Sequence, residues 1–488
     1  MALKQQVFHG SVWTLAGTAG QQVVNFILFV MLARLLTPAD FGVMAIAAVV
    51  IDILALIGCL GQVQALVQRA ELDDTAASTS FWMVQAFGIA MTAAVFFSAP
   101  LVADLFALPA LEPVLQLLSP ICMLQSLSAV HEAWLRRSFG FKWLAARMVA
   151  ASILGGVVSV GMALQGFGIY AMVGQRLIIA LVLVAMVWWS SPWRPKLRWA
   201  TRDALALARV GGDISLVAFL QISNVRIVDV VVGYLFGPQV LGQLRIAWKL
   251  FDFVIAIAVQ PIVNVSLSAL SRLQNSHVAM ASATVRLISV SATALYPVFF
   301  GIAVVAPDVV PPLFGDKWDK AILFIQILSP IAVAATVNYF LNTTLTAAGR
   351  TRWILWQALG QVGLVLAITA ATAPFGVVPV LVGNVVRASI VALVNVWLLK
   401  LAIGAAPASV ARGLLPPLVA AATMAGLLIA ARPLFLDLSD VALVRAVATA
   451  LAGALLFGLV LWFAFPGWRR NMQMELRPLL PKGGSSPS

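Results

Sequence analysis

The sequence predicts an all-α polytopic membrane protein of about fourteen transmembrane helices, arranged as two pseudo-symmetric six-helix bundles plus two C-terminal helices. Three observations carry this: an apolar composition, continuous apolar runs of membrane-spanning length, and an internal repeat. Of 488 residues 62% are hydrophobic and only 10% charged, and mean hydropathy is +1.01. A soluble domain has about 25% charged residues, so here the bilayer is the solvent. The apolar runs are continuous over roughly 20 residues, the length of a helix crossing hydrocarbon. A membrane β-barrel would instead alternate over roughly ten-residue segments.

In chain order the runs fall near 10–33, 42–62, 80–102, 113–134, 147–165 and 168–190. The basic connection PWRPKLRWATRDALALAR then interrupts at 192–209. Six further runs follow near 211–236, 240–264, 284–306, 321–342, 353–373 and 376–399, and two more near 413–431 and 441–465. The expected organisation is an N-terminal six-helix lobe at 1–191, a basic linker at 192–210, a second six-helix lobe at 211–400, two additional helices at 401–466 and a tail at 467–488. The opening, with Lys4 ahead of an apolar run, resembles a signal peptide. The run is too long and lacks a small-residue cleavage site, so it reads as the first span.

The net charge of +13 suggests a nucleic-acid partner until the cations are placed. Of 31 Lys and Arg, 21 fall in the tails and in connections on the N-terminal side, and Arg34, Lys317, Lys320, Arg432 and Arg445 on the other. The positive-inside rule then puts both termini in the cytoplasm, and no nucleic acid is expected as partner. Cys59 and Cys122 lie inside apolar runs, and His9, His131 and His277 are far apart, so neither a disulfide framework nor a metal site is expected.

The repeat appears when LLTPADFGVMAIAAVVID, 35–52, is set against LFGPQVLGQLRIAWKLFD, 235–252. Six of eighteen positions are identical at offset 200, among them Pro38/Pro238, Gly42/Gly242 and Asp52/Asp252. LQLLSPI, 115–121, also matches IQILSPI, 325–331, at offset 210, and Trp143 meets Trp353 at the same offset. Each repeat holds an even number of helices, so both insert in one orientation, related by an axis along the membrane normal. Such bundles are a recurrent transporter plan, with substrate near the midplane between them.

The remaining cations, Arg176, Arg226, Arg245, Lys249 and Arg387, lie within spans. A charge there costs about 2.5 to 3.5 kcal/mol on insertion scales unless it faces a cavity or a partner, so each is a candidate site residue. Arg245, Lys249 and Asp252 are spaced i, i+4, i+7, on one stripe of the eighth helix, with Asp252 near the midplane. Either they form a binding group, or Lys249 and Asp252 neutralise each other while Arg245 snorkels outward. Asp52, the repeat partner of Asp252, has no cation in its own span and needs a partner across the cavity, or a proton. Arg226 and Asp229, three apart, read most simply as an intrahelical pair. Asn25 and Asn224, with Gln21, Gln22 and Gln221, add hydrogen-bonding capacity on the two symmetry-related first helices, either for sugar hydroxyls or as glue between helices. Arg176 and Arg387 occupy equivalent places in helices six and twelve and read as structural.

No Gly-Lys dipeptide occurs, so there is no P-loop; His131-Glu132 starts a zincin-like string, but position 135 is Leu. No connection much exceeds about twenty residues, too short for a glycosyltransferase site on a loop. No enzyme and no cofactor are expected.

The phrase LARLLTPADFG, 32–42, closing a first span that begins GSVWTLAG, resembles bacterial polysaccharide transporters of the Wzx type. These are oligosaccharide flippases of the multidrug/oligosaccharidyl-lipid/polysaccharide exporter superfamily. The resemblance implies transfer of an undecaprenyl-diphosphate-linked oligosaccharide repeat across the bacterial cytoplasmic (inner) membrane, ahead of polymerisation for exopolysaccharide, capsule or O-antigen. Membrane lipid, a polysaccharide polymerase and a coupling proton or sodium ion are the expected partners. On this reading Arg245, Lys249 and Arg226, with Asn25 and Asn224, bind substrate, and Asp52, Asp252 and Asp229 couple transport to an ion. The family's cavities carry cations on the first helices of each lobe, whereas here helices one and two of the first lobe offer no buried cation apart from Arg34, at a helix end. The alternative is a multidrug or other small-molecule exporter of the same superfamily, for which a cationic cargo would need an acidic cavity.

Overall fold

The structure is a computed structural model that describes residues 2–59, 62–69, 73–138 and 140–468. Residues 469–488 of the expected tail lie outside the described residues. All regular structure among those described is helical: α1 Ala2–Leu35, α2 Pro38–Cys59, α3 Gln62–Gln68, α4 Asp74–Leu105, α5 Leu111–Leu118, α6 Pro120–Arg137, α7 Phe141–Leu164, α8 Tyr170–Ser190 and α9 Thr201–Ala258. There follow α10 Gln260–Ser271, α11 His277–Phe314, α12 Asp319–Leu328, α13 Ile331–Ala347, α14 Thr351–Thr372, α15 Val377–Ile403, α16 Pro407–Ala430, α17 Arg432–Leu438 and α18 Ala442–Ala464.

Among the described residues eleven helices are long and apolar enough to cross a membrane, or twelve if the pair Asp316–Leu328 and Ile331–Ala347, bent by 61°, is one span. The expected fourteen differ from eleven in three places. One is that bent pair. A second is α1, whose described apolar part, Gly20–Leu35, is short. The third is α9, whose 58 residues hold the seventh and eighth runs. As one straight rod it would extend about 87 Å against a hydrocarbon core of about 30 Å. It is broken at Gly237, with φ 81° and ψ 172°, a conformation open to glycine, and Pro238 follows.

The repeat is written into local structure. Both SPI blocks break a helix at Ser-Pro: α5 ends at Leu118 and α6 starts at Pro120, while α12 ends at Leu328 and α13 starts at Ile331. In each, the serine hydroxyl donates to a glutamine carbonyl three residues back, Ser119 to Gln116 at 2.8 Å and Ser329 to Gln326 at 3.1 Å.

Contacts group the chain into two compact units, one of Met1–Ile257, Leu313–Ala321 and Arg352–Asn384, the other of Ala258–Pro312, Ile322–Thr351 and Val385–Ser488. This grouping follows packing, whereas the six-plus-six division follows the repeat. In the first unit α7 packs on α1 and α8. Small residues permit this: a Cβ added at Gly156 would stand 2.2 Å from Leu28 Cδ1 on α1, and one at Gly155 2.6 Å from Ile179 Cγ1 on α8. The basic connection is pinned to α4, with Trp82 Nε1 donating to the Lys196 carbonyl at 2.9 Å, the Ala200 amide to Thr79 Oγ1 at 3.0 Å, and Lys196 paired with Asp74. In the second unit α16 packs on α18 and α10 on α13.

At the start of α2, Thr37 caps the helix. Its amide and hydroxyl donate to Asp40 Oδ2 at 2.9 and 2.7 Å, and the Asp40 amide donates to Thr37 Oγ1 at 3.3 Å, with Pro38 in the first turn. There α2 crosses the second half of α9, and the contact is reciprocal. A Cβ on Gly42 would lie 1.8 Å from the Pro238 carbonyl oxygen, and one on Gly242 1.8 Å from that of Pro38. The repeated Pro-x-x-x-Gly thus sets two helices backbone to backbone. Residues 313–321 brace the crossing: Trp318 Nε1 donates to the Ala33 carbonyl at 3.0 Å, Gln243 Nε2 to the Lys317 carbonyl at 2.6 Å, and Arg34 Nε to the Leu313 carbonyl at 2.9 Å.

Candidate functional site

In the first unit, in-span charges of α2, α8 and α9 converge. Both halves of α9 supply one face each: Ala218, Gln221, Ile222, Val225, Arg226 and Asp229 recur at helical spacing before the Gly237 break, and Arg245, Trp248 and Asp252 after it. Together with Asp52 of α2 they line a cavity of about 370 Å³.

A chain of alternating charges runs along it. Arg176 Nη1 on α8 donates to Asp52 Oδ1 at 3.2 Å, and Asp52 Oδ2 accepts from Arg226 Nη2 at 3.1 Å. Arg226 Nη1 reaches Asp229 Oδ2 at 3.3 Å, and the same oxygen accepts from Arg245 Nη1 at 2.9 Å. The Asp229 side chain is only 2% exposed, against 21% for Arg226, 25% for Arg245 and 28% for Asp52. A carboxylate buried that deeply is sustained by cations on two sides; removing one of them is costly. The guanidiniums, in turn, reach the cavity.

Of the eight residues singled out as candidates, the structure brings Asp52, Arg226, Asp229, Arg245 and Asp252 to this one cavity. Lys249, Asn25 and Asn224 do not line it. On a helix of 3.6 residues per turn, Trp248 and Asp252 fall about 60° and 20° to one side of Arg245 and Lys249 about 40° to the other. Lys249 therefore turns to α1, its Nζ 5.7 Å from the centroid of the Phe29 ring, and Phe253 beside it stacks on Phe26 of α1 at 4.3 Å. Asn224 Nδ2 donates to Gln361 Oε1 of α14 at 2.6 Å, a link between helices. Asn25 sits on α1, partly exposed.

Arg245 does not snorkel outward, and Arg226 and Asp229 are more than an intrahelical pair, since each is shared with a second helix segment. Arg176 emerges as the partner across helices that Asp52 requires. It was findable as one of the few in-span cations, but its pairing needs the packing of α8 on the first unit. Trp248 carried no signal beyond its spacing from Arg245.

Chemically, each guanidinium holds a carboxylate in the position a phosphate oxygen would occupy, since both anions match the planar donor fork. The set Arg176, Arg226 and Arg245 against Asp52, Asp229 and Asp252 is balanced, with Lys249 at its margin.

The sequence profile of a family described as polysaccharide biosynthesis protein matches residues 31–323. The chain is 25% identical over 347 residues to the succinoglycan biosynthesis transport protein ExoT of Rhizobium meliloti (strain 1021), covering 71% of this chain and 70% of that protein. It is 22% identical over 353 residues to the lipopolysaccharide biosynthesis protein WzxC of Escherichia coli (strain K12), covering 72% of each. Among solved structures, the lipid II flippase MurJ in an inward closed conformation matches at TM-score 0.70 and 11% identity, over 98% of this chain and 99% of that one. A multidrug resistance MATE family transporter of the MOP superfamily, inward-facing, matches at TM-score 0.66 and 16% identity, over 81% and 98%. At such identities the structural likeness speaks for the fold alone. The profile match takes in α2, the Gly237 break, the charged cavity and the bracing segment 313–321, more than half of the chain, and the protein belongs to the polysaccharide biosynthesis protein family.

Proposed function

We propose that this protein is a flippase that carries an undecaprenyl-diphosphate-linked oligosaccharide repeat unit across the bacterial cytoplasmic membrane by alternating access, supplying exopolysaccharide, capsule or O-antigen synthesis. The relatives named for succinoglycan transport and lipopolysaccharide biosynthesis support the cargo class, and the fold is one that a lipid II flippase also has. The observation that carries the reading is the guanidinium–carboxylate chain from Arg176 to Arg245 along a cavity in the spanning region.

In the cargo-free state Asp52 and Asp229 occupy the arginine donors, so no uncompensated charge stands in low dielectric. A diphosphate entering the cavity takes over those donors: Arg226 and Arg245 bind it, and Lys249, which faces Phe29 of α1 outside the cavity, joins as a third cation only by turning away from that ring. Asn25 and Asn224, on the first helices of the two repeats, are the candidates for sugar hydroxyls. The displaced carboxylates, Asp52, Asp229 and the cavity-facing Asp252, then take up a proton or sodium ion, and its release lets them reclaim the arginines and expel the cargo. The six-plus-six lobes of the repeat are the bodies that rock, with a polysaccharide polymerase receiving the cargo downstream.

The test is mass spectrometry of lipid-linked oligosaccharides in cells lacking the gene, with the polymerase intact. One undecaprenyl-diphosphate repeat unit should accumulate and the matching surface polymer disappear. Wild type should restore the polymer, and Arg226→Ala/Arg245→Ala, present at the same membrane level, should not. Unchanged lipid intermediates together with new sensitivity to cationic compounds would shift the assignment to a small-molecule exporter.

A further inference from the structure

The charged cavity has one lining residue whose chemistry the ion chain does not use. Trp248 stands among Arg226, Asp229, Arg245 and Asp252. It is half-buried, and its ring is set edge-to-face against Phe251 of the same helix at 6.2 Å, which fixes it at the cavity wall.

Its depth follows from the course of α9. In a straight helix Asp229 and Arg245 would stand about 24 Å apart, so their 2.9 Å contact brings the halves before and after Gly237 side by side. Asp229 and Arg245 are each eight residues from Gly237, Arg226 and Trp248 each eleven, and Ile222 and Asp252 each fifteen. Residues equally far from the break share a level. The cavity is therefore layered: Arg245 with Asp229, then Trp248 with Arg226, then Asp252 with Ile222 and the exposed Gln221. Along the second half of α9, Trp248 lies about 4.5 Å and Asp252 about 10 Å beyond Arg245.

The internal repeat marks the same positions. At offset 200 the buried Ile46 and Ala47 are kept as Ile246 and Ala247, which are buried as well. Ala45 and Ala48 are exchanged for Arg245 and Trp248. The packing positions are thus retained between the two copies, and the exchanged ones line the cavity.

A sugar bonded directly to a diphosphate must lie beside the phosphate donors. With Arg226 and Arg245 on the diphosphate, the first sugar ring falls at the level of Trp248 and the layer beyond. A pyranose has an electropositive flank of C–H groups and a rim of hydroxyls. The flank suits the negative face of an indole, and the rim needs hydrogen-bond partners. Gln221 offers both a donor and an acceptor, and Asp252 accepts from a hydroxyl when ionised or donates to one when protonated. Asn25 and Asn224 do not line this cavity. At about 370 Å³ it has room for a diphosphate and one ring, not for a whole repeat unit.

We propose that Trp248 is the platform on which the first sugar of the cargo stacks, with Gln221 and Asp252 taking its hydroxyls. The inference rests on the flippase reading and adds to it the subsite that recognises sugar rather than phosphate.

The experiment uses the full-length protein, purified in detergent and titrated by native mass spectrometry. The probes are undecaprenyl diphosphate and the same lipid carrying one glucose or one galactose. Trp248→Leu, which keeps apolar bulk without an aromatic face, should weaken the sugar-bearing lipid about fivefold and leave the bare lipid unchanged. Trp248→Phe keeps a face and should retain most of the binding. Gln221→Ala should also weaken the sugar-bearing lipid alone, whereas Arg226→Ala/Arg245→Ala should weaken both lipids. Binding of neither lipid by the wild type would sink the flippase reading and this inference with it. With both lipids bound by the wild type, undiminished binding of the sugar-bearing lipid by Trp248→Leu, or an equal loss of both lipids in that variant, overturns the platform and leaves the flippase reading standing.

Discussion

At the residue scale Asp229 has the most demanding position in the cavity, since its carboxylate is 2% exposed and one oxygen serves both Arg226 and Arg245. Arg245→Ala should lower stability by about 3 kcal/mol, because a buried carboxylate loses one of its two cations. Adding Asp229→Asn should recover most of that: Arg226 keeps Asp52 at 3.1 Å, and no unpaired charge is left behind. Transport should not recover, since the donor that meets the diphosphate is still missing. A double-mutant cycle read by thermal unfolding in detergent, with lipid-linked oligosaccharide levels as the second readout, separates these roles. Recovery of both would mean that Arg245 serves only as Asp229's counterion. The spacing of residues revealed the Arg226–Asp229 pair and the Arg245–Asp252 stripe. It did not reveal that Lys249, about 40° off that stripe, would be claimed by Phe29, nor that Arg176 would answer Asp52. Both depend on which helix packs alongside.

Among the elements, α2 and the second half of α9 depend on two glycines that face each other's proline carbonyls. Gly→Ala inside a helix ordinarily gains about 1 kcal/mol of propensity. At Gly42 or Gly242 the new methyl would sit 1.8 Å from a backbone oxygen, so the helices must part, and overpacking of this kind costs about 1 to 3 kcal/mol. Gly42→Ala and Gly242→Ala should each lower the unfolding midpoint. Gly363→Ala on α14, where an added Cβ meets nothing within 4 Å, should leave it unchanged or raise it. The combined Gly42→Ala/Gly242→Ala variant should cost less than the sum of the two, since one separation relieves both contacts. Equal effects at Gly42 and Gly363 would mean that the crossing is not a tight contact. The Pro-x-x-x-Gly of the repeat, and the Thr37–Asp40 cap inside the family phrase, were legible as letters. Their meaning, a crossing about a local two-fold, was not, because sequence identity at an offset does not say that the two copies touch.

For the whole molecule, the order of helices, the all-α class and the repeat were legible because hydrocarbon admits so few backbone solutions. The count of spans was not: besides the short α1 and the bent pair, it turns on whether α9 crosses once or twice, and hydropathy averages over a single-residue break. That question can be decided by parity. If the Gly237 break returns the chain through the membrane, Leu197 and Val278, which are 90% and 82% exposed, lie on the cytoplasmic side. Phe375 and Leu434, 77% and 73% exposed, then lie on the outer side. If α9 crosses once, every connection after it inverts. With Cys59 and Cys122 replaced by alanine and single cysteines placed at these four positions, an impermeant maleimide added to cells with an opened outer membrane should label Phe375→Cys and Leu434→Cys. Leu197→Cys and Val278→Cys should react only once the cytoplasmic membrane is breached. Label at Val278 but not at Phe375 in intact cells would make α9 a single crossing, separate the repeats by an odd number of spans, and remove the parallel relation between lobes on which the rocking mechanism depends.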